Sequence, residues 1–256
     1  MKPHRHFERW APVLLAAALV LLWQVVVTGL DIPEYLFPSP WQIAQQFVEF
    51  KGPLLAAAWS TLWVTTVGFG LAIVVGVLLG FLVGSSRIAY AAVYPLMVGF
   101  NAVPKAAIVP ILVVWFGIGI GPGILTAFLI SFFPITVNIA TGLATLEPEL
   151  EDVLRVLGAK RWDVLVKVGL PRAMPYFYGS LKIAITLAFV GTVLAEMTAG
   201  DSGIGNLIQT AGSQQRMPLA FAGLAAISVM AMAMYEMFSW LEKHTTAWAH
   251  RGSQAH

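Results

Sequence analysis

Long apolar runs separated by short polar breaks make up most of this chain. Five stretches are long and apolar enough to cross a bilayer: Ala11–Leu30, Trp59–Val83, Ala91–Ile118, Ile124–Leu146 and Leu219–Leu241. A sixth, Ala173–Ala195, is apolar apart from Lys182. A spanning helix needs about 20 such residues, at about 1.5 Å each, to cover about 30 Å of hydrocarbon. The pattern predicts an all-α, polytopic membrane protein with about six transmembrane helices. The third stretch is long and contains prolines, so five or seven spans also fit. The breaks carry turn chemistry. Ser85-Ser86-Arg87 reads as a tight turn, Gly117 to Gly123 as a glycine-rich one, and Gly200 to Pro218 as a longer loop. Between the first two spans, Asp31–Pro53 reads as a linker with Pro33, Pro38, Pro40 and Pro53. It encloses a brief amphipathic helix (Trp41, Ala44, Phe47, Val48) suited to a membrane surface.

One polar island interrupts this pattern, Glu147 to Pro171. Leu150, Val153, Leu154 and Leu157 fall at i, i+3, i+4 and i+7, one face of a helix. Pro148 suits a first turn, and Glu149, Glu151 and Asp152 put negative charge near the positive helix end. Gly158 supplies a break. A second stripe follows, Trp162, Leu165, Val166 and Gly169, and Leu170-Pro171 is expected to stop it. A helix, a bend and a helix, each with one apolar face, do not span a bilayer. Such a pair lies along the membrane or docks into a partner's groove.

Glycines and prolines mark further positions. Gly76, Gly80 and Gly84 recur at four-residue spacing, with Gly68 two turns earlier. Small residues so spaced let helices approach closely in lipid, within one subunit or between two. In Asn101-Ala-Val-Pro104-Lys105-Ala-Ala-Ile-Val-Pro110, each proline lacks an N–H and crowds the carbonyl four residues back. Freed carbonyls at membrane depth are tolerated only against protein or a water-filled cavity, so this run reads as a pathway wall or as a structural kink. Charges inside spans cost about 2.5–3.5 kcal/mol on insertion scales, which singles out Lys105, Lys182, Glu196 and Glu236. Lys182 and Glu236 lie within snorkelling reach of a span end, Glu196 lies near the opposite end, and Lys105 is the most central.

Composition narrows the function. With 58% hydrophobic and 11% charged residues the chain does not resemble a soluble domain. With the N-terminus inside, eleven Lys and Arg fall on cytoplasmic segments, and only Lys51 and Arg216 fall outside. That bias places 147–171 and both termini in the cytoplasm. Residues 11–30 follow basic residues, as a signal peptide would, but the run is long and ends in no small-x-small cleavage site, which favours a retained helix. Cysteine is absent, so disulfides and thiolate metal sites are excluded. All five histidines sit in the terminal tails, which removes the usual intramembrane proton relay. No Gly-x-x-x-x-Gly-Lys-[Ser/Thr] loop occurs, so ATP hydrolysis by that route is excluded as well.

Four segments together resemble a known family. An acidic residue, a glycine six positions on and a Leu-Pro twelve to thirteen beyond it resemble the cytoplasmic "EAA" loop of ABC-importer permeases. Asp152 stands where that motif has Glu, and Val153-Leu154 where it has Ala-Ala; Arg155, Gly158, Ala159, Trp162, Leu170 and Pro171 fit. Pro104-Lys105, Pro110 and Trp115-Phe-Gly-Ile-Gly119 are similar to the branch for taurine, alkanesulfonates, nitrate and related small molecules. Glu196-Met-Thr-Ala-Gly200 with Gly203-Ile-Gly205 is similar to the same branch, and so is Leu36-Phe-Pro-Ser-Pro40.

The resemblance implies a type I ABC-importer permease architecture in a bacterial inner membrane. It implies one transmembrane permease domain over 1–256, with a core of about 59–241 and a coupling loop at 147–171. It implies two separate ATPases that hold ATP and Mg, an external substrate-binding protein, a second permease copy in a homodimer, and no cofactor or metal on this chain. Asp152, Leu154, Arg155, Leu157, Gly158, Ala159, Trp162 and Pro171 become the expected ATPase-coupling residues. Pro104, Lys105, Pro110 and Glu196 become the expected path residues. The expected cargo is a small anion such as a sulfonate, nitrate or carboxylate, with a pyrimidine-like heterocycle as the alternative. A secondary transporter would need intramembrane coupling groups that are scarce here, and a membrane enzyme would need a His, Cys and Asp cluster that is not seen.

The charge bias has a direct test. In this Cys-free chain, a label that cannot cross the membrane is expected to reach cysteine placed at Ser202 or Lys51 and to miss Lys160→Cys. Labelling of Lys160→Cys in intact cells would reverse the orientation.

Overall fold

The computed structural model describes residues 4–144, 153, 154 and 156–246. Nine helices organise them: α1 (His4–Gly29), α2 (Pro40–Glu49), α3 (Lys51–Gly84), α4 (Arg87–Ala102), α5 (Val109–Phe116), α6 (Ile120–Ala144), α7 (Leu170–Ala199), α8 (Gly203–Ser213) and α9 (Met217–Thr245). Five of them (α1, α3, α6, α7 and α9) are long and apolar enough to cross a membrane. At 34 residues, α3 is about 50 Å long, so it overruns the hydrocarbon.

The α3, α6 and α7 helices pack side by side as the centre of the bundle, with α9 against α7. Their seams are lined by very small residues. A Cβ on Gly80 would lie 2.8 Å from the Thr136 carbonyl oxygen, and one on Gly84 would lie 2.8 Å from that of Ala140. Gly68 meets Ile124 and Ala127, Gly76 meets Ile135, and Gly191 of α7 meets Thr126 and Ala127. The glycine stripe therefore serves packing inside one chain, between α3 and α6. Ile135, Ala184, Ile185 and Ala188 fill the space between and are fully buried. Several polar groups on α6 are satisfied locally: Thr126 donates to the Pro122 carbonyl, Ser131 to Ala127 and Asn138 to Pro134, while Thr141 pairs with the Tyr90 hydroxyl of α4. Such local bonds accommodate hydroxyls and amides in lipid without a partner helix.

The bundle has two ends. One, the loop end, gathers Gly84, the close of α6, the start of α7 and the close of α9, where Lys182 pairs with Glu242 at 2.7 Å. The other, the α8 end, gathers the start of α3, the close of α7, α8 and the start of α9. A second apolar cluster there joins Ile43 of α2, Leu54 of α3, Ala211 of α8 and Leu219 of α9. Helix α2 is closed by a capping box between Ser39 and Gln42. Helix α1 leans on this end through Trp23, whose ring packs with Phe37 and Phe221, through buried Val27 and through Gln24, which accepts from the Trp41 N–H; most of its remaining described side chains are exposed.

The Ala91–Ile118 stretch is broken near its prolines, as the sequence indicates: α4 meets a second arm, the 3-10 turn Lys105–Ile108 followed by α5, at a bend of 71°. The pair still runs from end to end, since α4 starts beside the loop end and Gly119 donates to the Ala199 carbonyl at the other. Two expectations change. Leu170-Pro171 does not stop a helix: a π-helical turn (Leu165–Gly169) joins Arg161–Val164 to α7, and Pro171 follows that widened turn, a local adjustment of the kind that lets a helix run on through a proline. The Gly200–Pro218 segment is not an irregular loop, because most of it is α8.

Gly80→Ala is expected to lower stability by about 1–3 kcal/mol, because its Cβ meets backbone that cannot rotate away. Gly70→Ala, where a Cβ meets nothing within 4 Å, is expected to be neutral. Thermal unfolding in detergent of the two variants beside the parent checks the pair.

Candidate functional site

Two groups of expected site residues lie at different places. At the loop end, Val153, Leu154 and Val156 are helical, and the helix closes as Leu157 and Ala159 donate to the carbonyls of Val153 and Leu154. Gly158 takes φ +89°, the left-handed conformation in which a side chain is strained. Open space surrounds it, so the constraint there is backbone conformation and not crowding. Asp152 and Arg155 lie outside the described residues.

The two apolar stripes are used differently. Val153, Val156 and Leu157 face outward, with Val156 88% and Leu157 77% exposed; Leu154 and Ala159 are half-buried. The second stripe is divided. Gly169 is buried and Leu165 joins the bundle core, Val166 is exposed, and Trp162 sets its ring edge-on to Phe81 at 5.7 Å while staying 63% exposed; Val164, off the stripe, is buried. Pro171 is exposed at the start of α7. Leu78, Ser86, Phe81 and Trp162 border a shallow apolar concavity of about 700 Å³ beside this segment. The sequence pattern placed Val156 off the stripe, yet it is among the most exposed apolar residues of the chain.

At the broken span, Val103 and Pro104 leave the helical conformation and Pro110 falls in the first turn of α5. The prolines therefore begin new elements, where an N–H is not needed, and do not kink a continuous helix. The Lys105 ammonium turns back to the close of α4, 2.6 Å from Asn101 Oδ1 and 3.1 Å from the Asn101 carbonyl. A cation at that position satisfies a carbonyl left over by the break and complements the helix dipole. Pro104, Lys105 and Pro110 thus share one accessible region of the chain, with Pro104 and Pro110 exposed. Asn101, the lysine's partner, was not singled out by the sequence, although its i, i+4 spacing is the signal that could have found it.

Glu196 does not join them. Its carboxylate is buried at the α8 end and is held by Thr61, whose hydroxyl lies 2.9 Å from both oxygens, and by the Gly205 N–H at 2.9 Å. Thr61 is 135 residues away in sequence, and no local pattern announces it. Lys182, by contrast, finds Glu242, and Glu236 is exposed on α9.

The family model described as "Binding-protein-dependent transport system inner membrane component" matches residues 72–246. The chain belongs to this family. It is a multi-pass ABC transporter permease of the importer type, a transport component for small solutes and not a catalytic one. A "Probable ABC transporter permease protein" of Haemophilus influenzae is 32% identical, over 93% of this chain and 97% of the relative. The formylaminopyrimidine transport permease protein ThiX of Halalkalibacterium halodurans is 29% identical, over 95% and 98%. The taurine transport system permease protein TauC of Escherichia coli is 30% identical, over 91% and 87%. Among solved structures, the inward-facing MetNI methionine ABC transporter matches with a TM-score of 0.66 at 19% identity, covering 77% of this chain and 98% of that one. That likeness supports the type I importer architecture.

Proposed function

We propose that this permease pairs with a second copy of itself to form the path of an ATP-driven importer. An external binding protein delivers the solute and two separate ATPases, holding ATP and Mg, drive transport. The observation that carries the reading is the apolar surface left at the loop end by Val153, Val156 and Leu157. A free apolar patch beyond the membrane is unusual in a stable protein, and each large side chain buried by a partner is worth about 1.5–3 kcal/mol. The charge bias of the chain puts this end, and both termini, in the cytoplasm, where an ATPase is found. Residues 147–171 then act as the coupling loop. Val153, Val156 and Leu157 present the docking face, Gly158 sets the turn that ends it, and Trp162 on Phe81 relays its movement to α3 and, through the π-helical turn, to α7. The single permease domain spans 1–256, with its core at about 59–241.

The solute we propose is a small anion, such as a sulfonate, nitrate or carboxylate. Lys105 is a cation in the accessible break of a span and forms no ion pair with a described carboxylate; a passing anion finds a donor there that a neutral solute does not need. A neutral pyrimidine-like cargo is the second reading, favoured by the likeness to ThiX.

Gly158→Val is expected to weaken ATPase association and to reduce uptake at least about tenfold, since a β-branched residue is strained in the left-handed region by about 1–2 kcal/mol or more. Detergent co-purification of variant and parent with the ATPase measures this. Stoichiometric ATPase with full substrate-stimulated hydrolysis in the variant would remove this loop from coupling. Lys105→Met is expected to keep the fold and to lower uptake of a small sulfonate. Unchanged uptake at every concentration would make Lys105 purely a cap on α4.

A further inference from the structure

Helix α8 begins without a cap of its own. The first N–H groups of a helix lack intrahelical acceptors, and a serine at the N-cap usually supplies one. Ser202 stands at that position but makes no capping bond; its hydroxyl lies 3.1 Å from Ser60 Oγ of α3 instead. The cap comes from two other helices. Ile204 donates to Thr61 Oγ1 at 2.8 Å, and Gly205 donates to Glu196 Oε2 at 2.9 Å. Thr61 in turn gives its single proton to the Glu196 carboxylate. Thr61 is fully buried and Glu196 is 6% exposed.

The nearby glycines fit around that carboxylate. A Cβ on Gly203, which has φ +94°, would fall on the carboxylate itself. A Cβ on Gly205 would lie 2.6 Å from the Val193 carbonyl oxygen, and one on Gly200 would lie 2.6 Å from that of Glu196. One turn deeper, Thr65 donates to Thr192 at 2.9 Å and continues the α3–α7 seam.

We infer that Glu196 is a positioning residue that clamps α8 onto α3 and α7, making the three helix ends one rigid body that stays closed throughout the transport cycle. Lifting α8 off α3 and α7 would leave the Ile204 and Gly205 N–H groups without acceptors and take one donor from the buried carboxylate, each a costly loss away from water. Access at this end must therefore open elsewhere on the chain. The statement about the cycle rests on the importer reading above; the clamp itself does not.

The test uses the full transporter in proteoliposomes, with Ser60→Cys and Ser202→Cys in the otherwise Cys-free permease. Two oxygens 3.1 Å apart mark positions from which two sulfurs reach bonding distance with little movement. Mild oxidation is expected to form the intramolecular disulfide readily. Adding Glu196→Ala is expected to slow its formation about tenfold or more, as two hydrogen bonds to a charged acceptor are lost. Glu196→Gln, which keeps the shape and one acceptor oxygen, is expected to fall between and guards against a misfolded alanine variant. The oxidised transporter is expected to keep ATP-driven uptake within about twofold of the reduced one, a readout that a merely stabilising residue would not define.

No disulfide in the Ser60→Cys, Ser202→Cys permease with Glu196 intact, or equal rates in all three backgrounds, would overturn the clamp. Uptake abolished by oxidation and restored by reductant would show that the seam opens, and would overturn the rigid body. Absence of ATP-driven uptake in the reduced double-cysteine permease and in the Cys-free protein would count against the importer reading alone, because the disulfide rates still measure the clamp.

Discussion

The close approach of α3 to α6 is the contact on which the rest of this protein depends. Lipid offers no hydrophobic reward for bringing two apolar helices together, so their association relies on van der Waals contact at short range. Gly68, Gly76, Gly80 and Gly84 bring no side chain of their own to the seam, and α6 fills the space with its backbone and with Ala127, Ile135, Ile139 and Leu143. Helix α7 joins from the other side through Gly191, again against α6 backbone. Once these three helices are fixed, both ends of the bundle are fixed with them. The Gly142–Ala173 contact sets where α7 leaves the loop end, and the start of α3 sets where Thr61 meets Glu196.

The two ends are built from different chemistry. At the α8 end, polar groups are buried and consumed by one another, which favours a fixed arrangement. At the loop end, apolar side chains are left outside and the backbone turns through a left-handed glycine, which favours a partner. The importer proposed above would use this asymmetry: one end holds its shape and the other passes on a push. The π-helical turn before α7 lies between them in the chain, where a helix register can shift without breaking the span.

The broken span between these ends leaves much of its surface exposed, from Asn101 to Pro104 and again at Ala106 and Ala107. Lys105 caps α4 through Asn101 and so has a structural role of its own. That role and contact with a solute are compatible, because an ammonium has three donors and Asn101 engages only part of that capacity.

Much of this was legible in the residues themselves. Span number, the surface helix at Pro40–Glu49, the turn at Gly158 and the polar island follow from local properties: apolar length, period and turn chemistry, each set within about 20 residues. The family resemblance rested on four such local segments and extends to the matched region. Partners across the fold were not legible. Glu196 stood out as a charge in a span, but its bond to Thr61 crosses 135 residues, and only the packed backbones bring the two together. The glycine stripe announced close approach without saying to which helix. Pro104 and Pro110 stand where new elements begin, and Pro171 looked like a stop but is passed by way of a π-helical turn, because a proline's effect depends on the backbone that precedes it. Local composition determined what this chain must do with a membrane; the contacts between distant helices decided which charges are held, which are left free, and where a partner can bind.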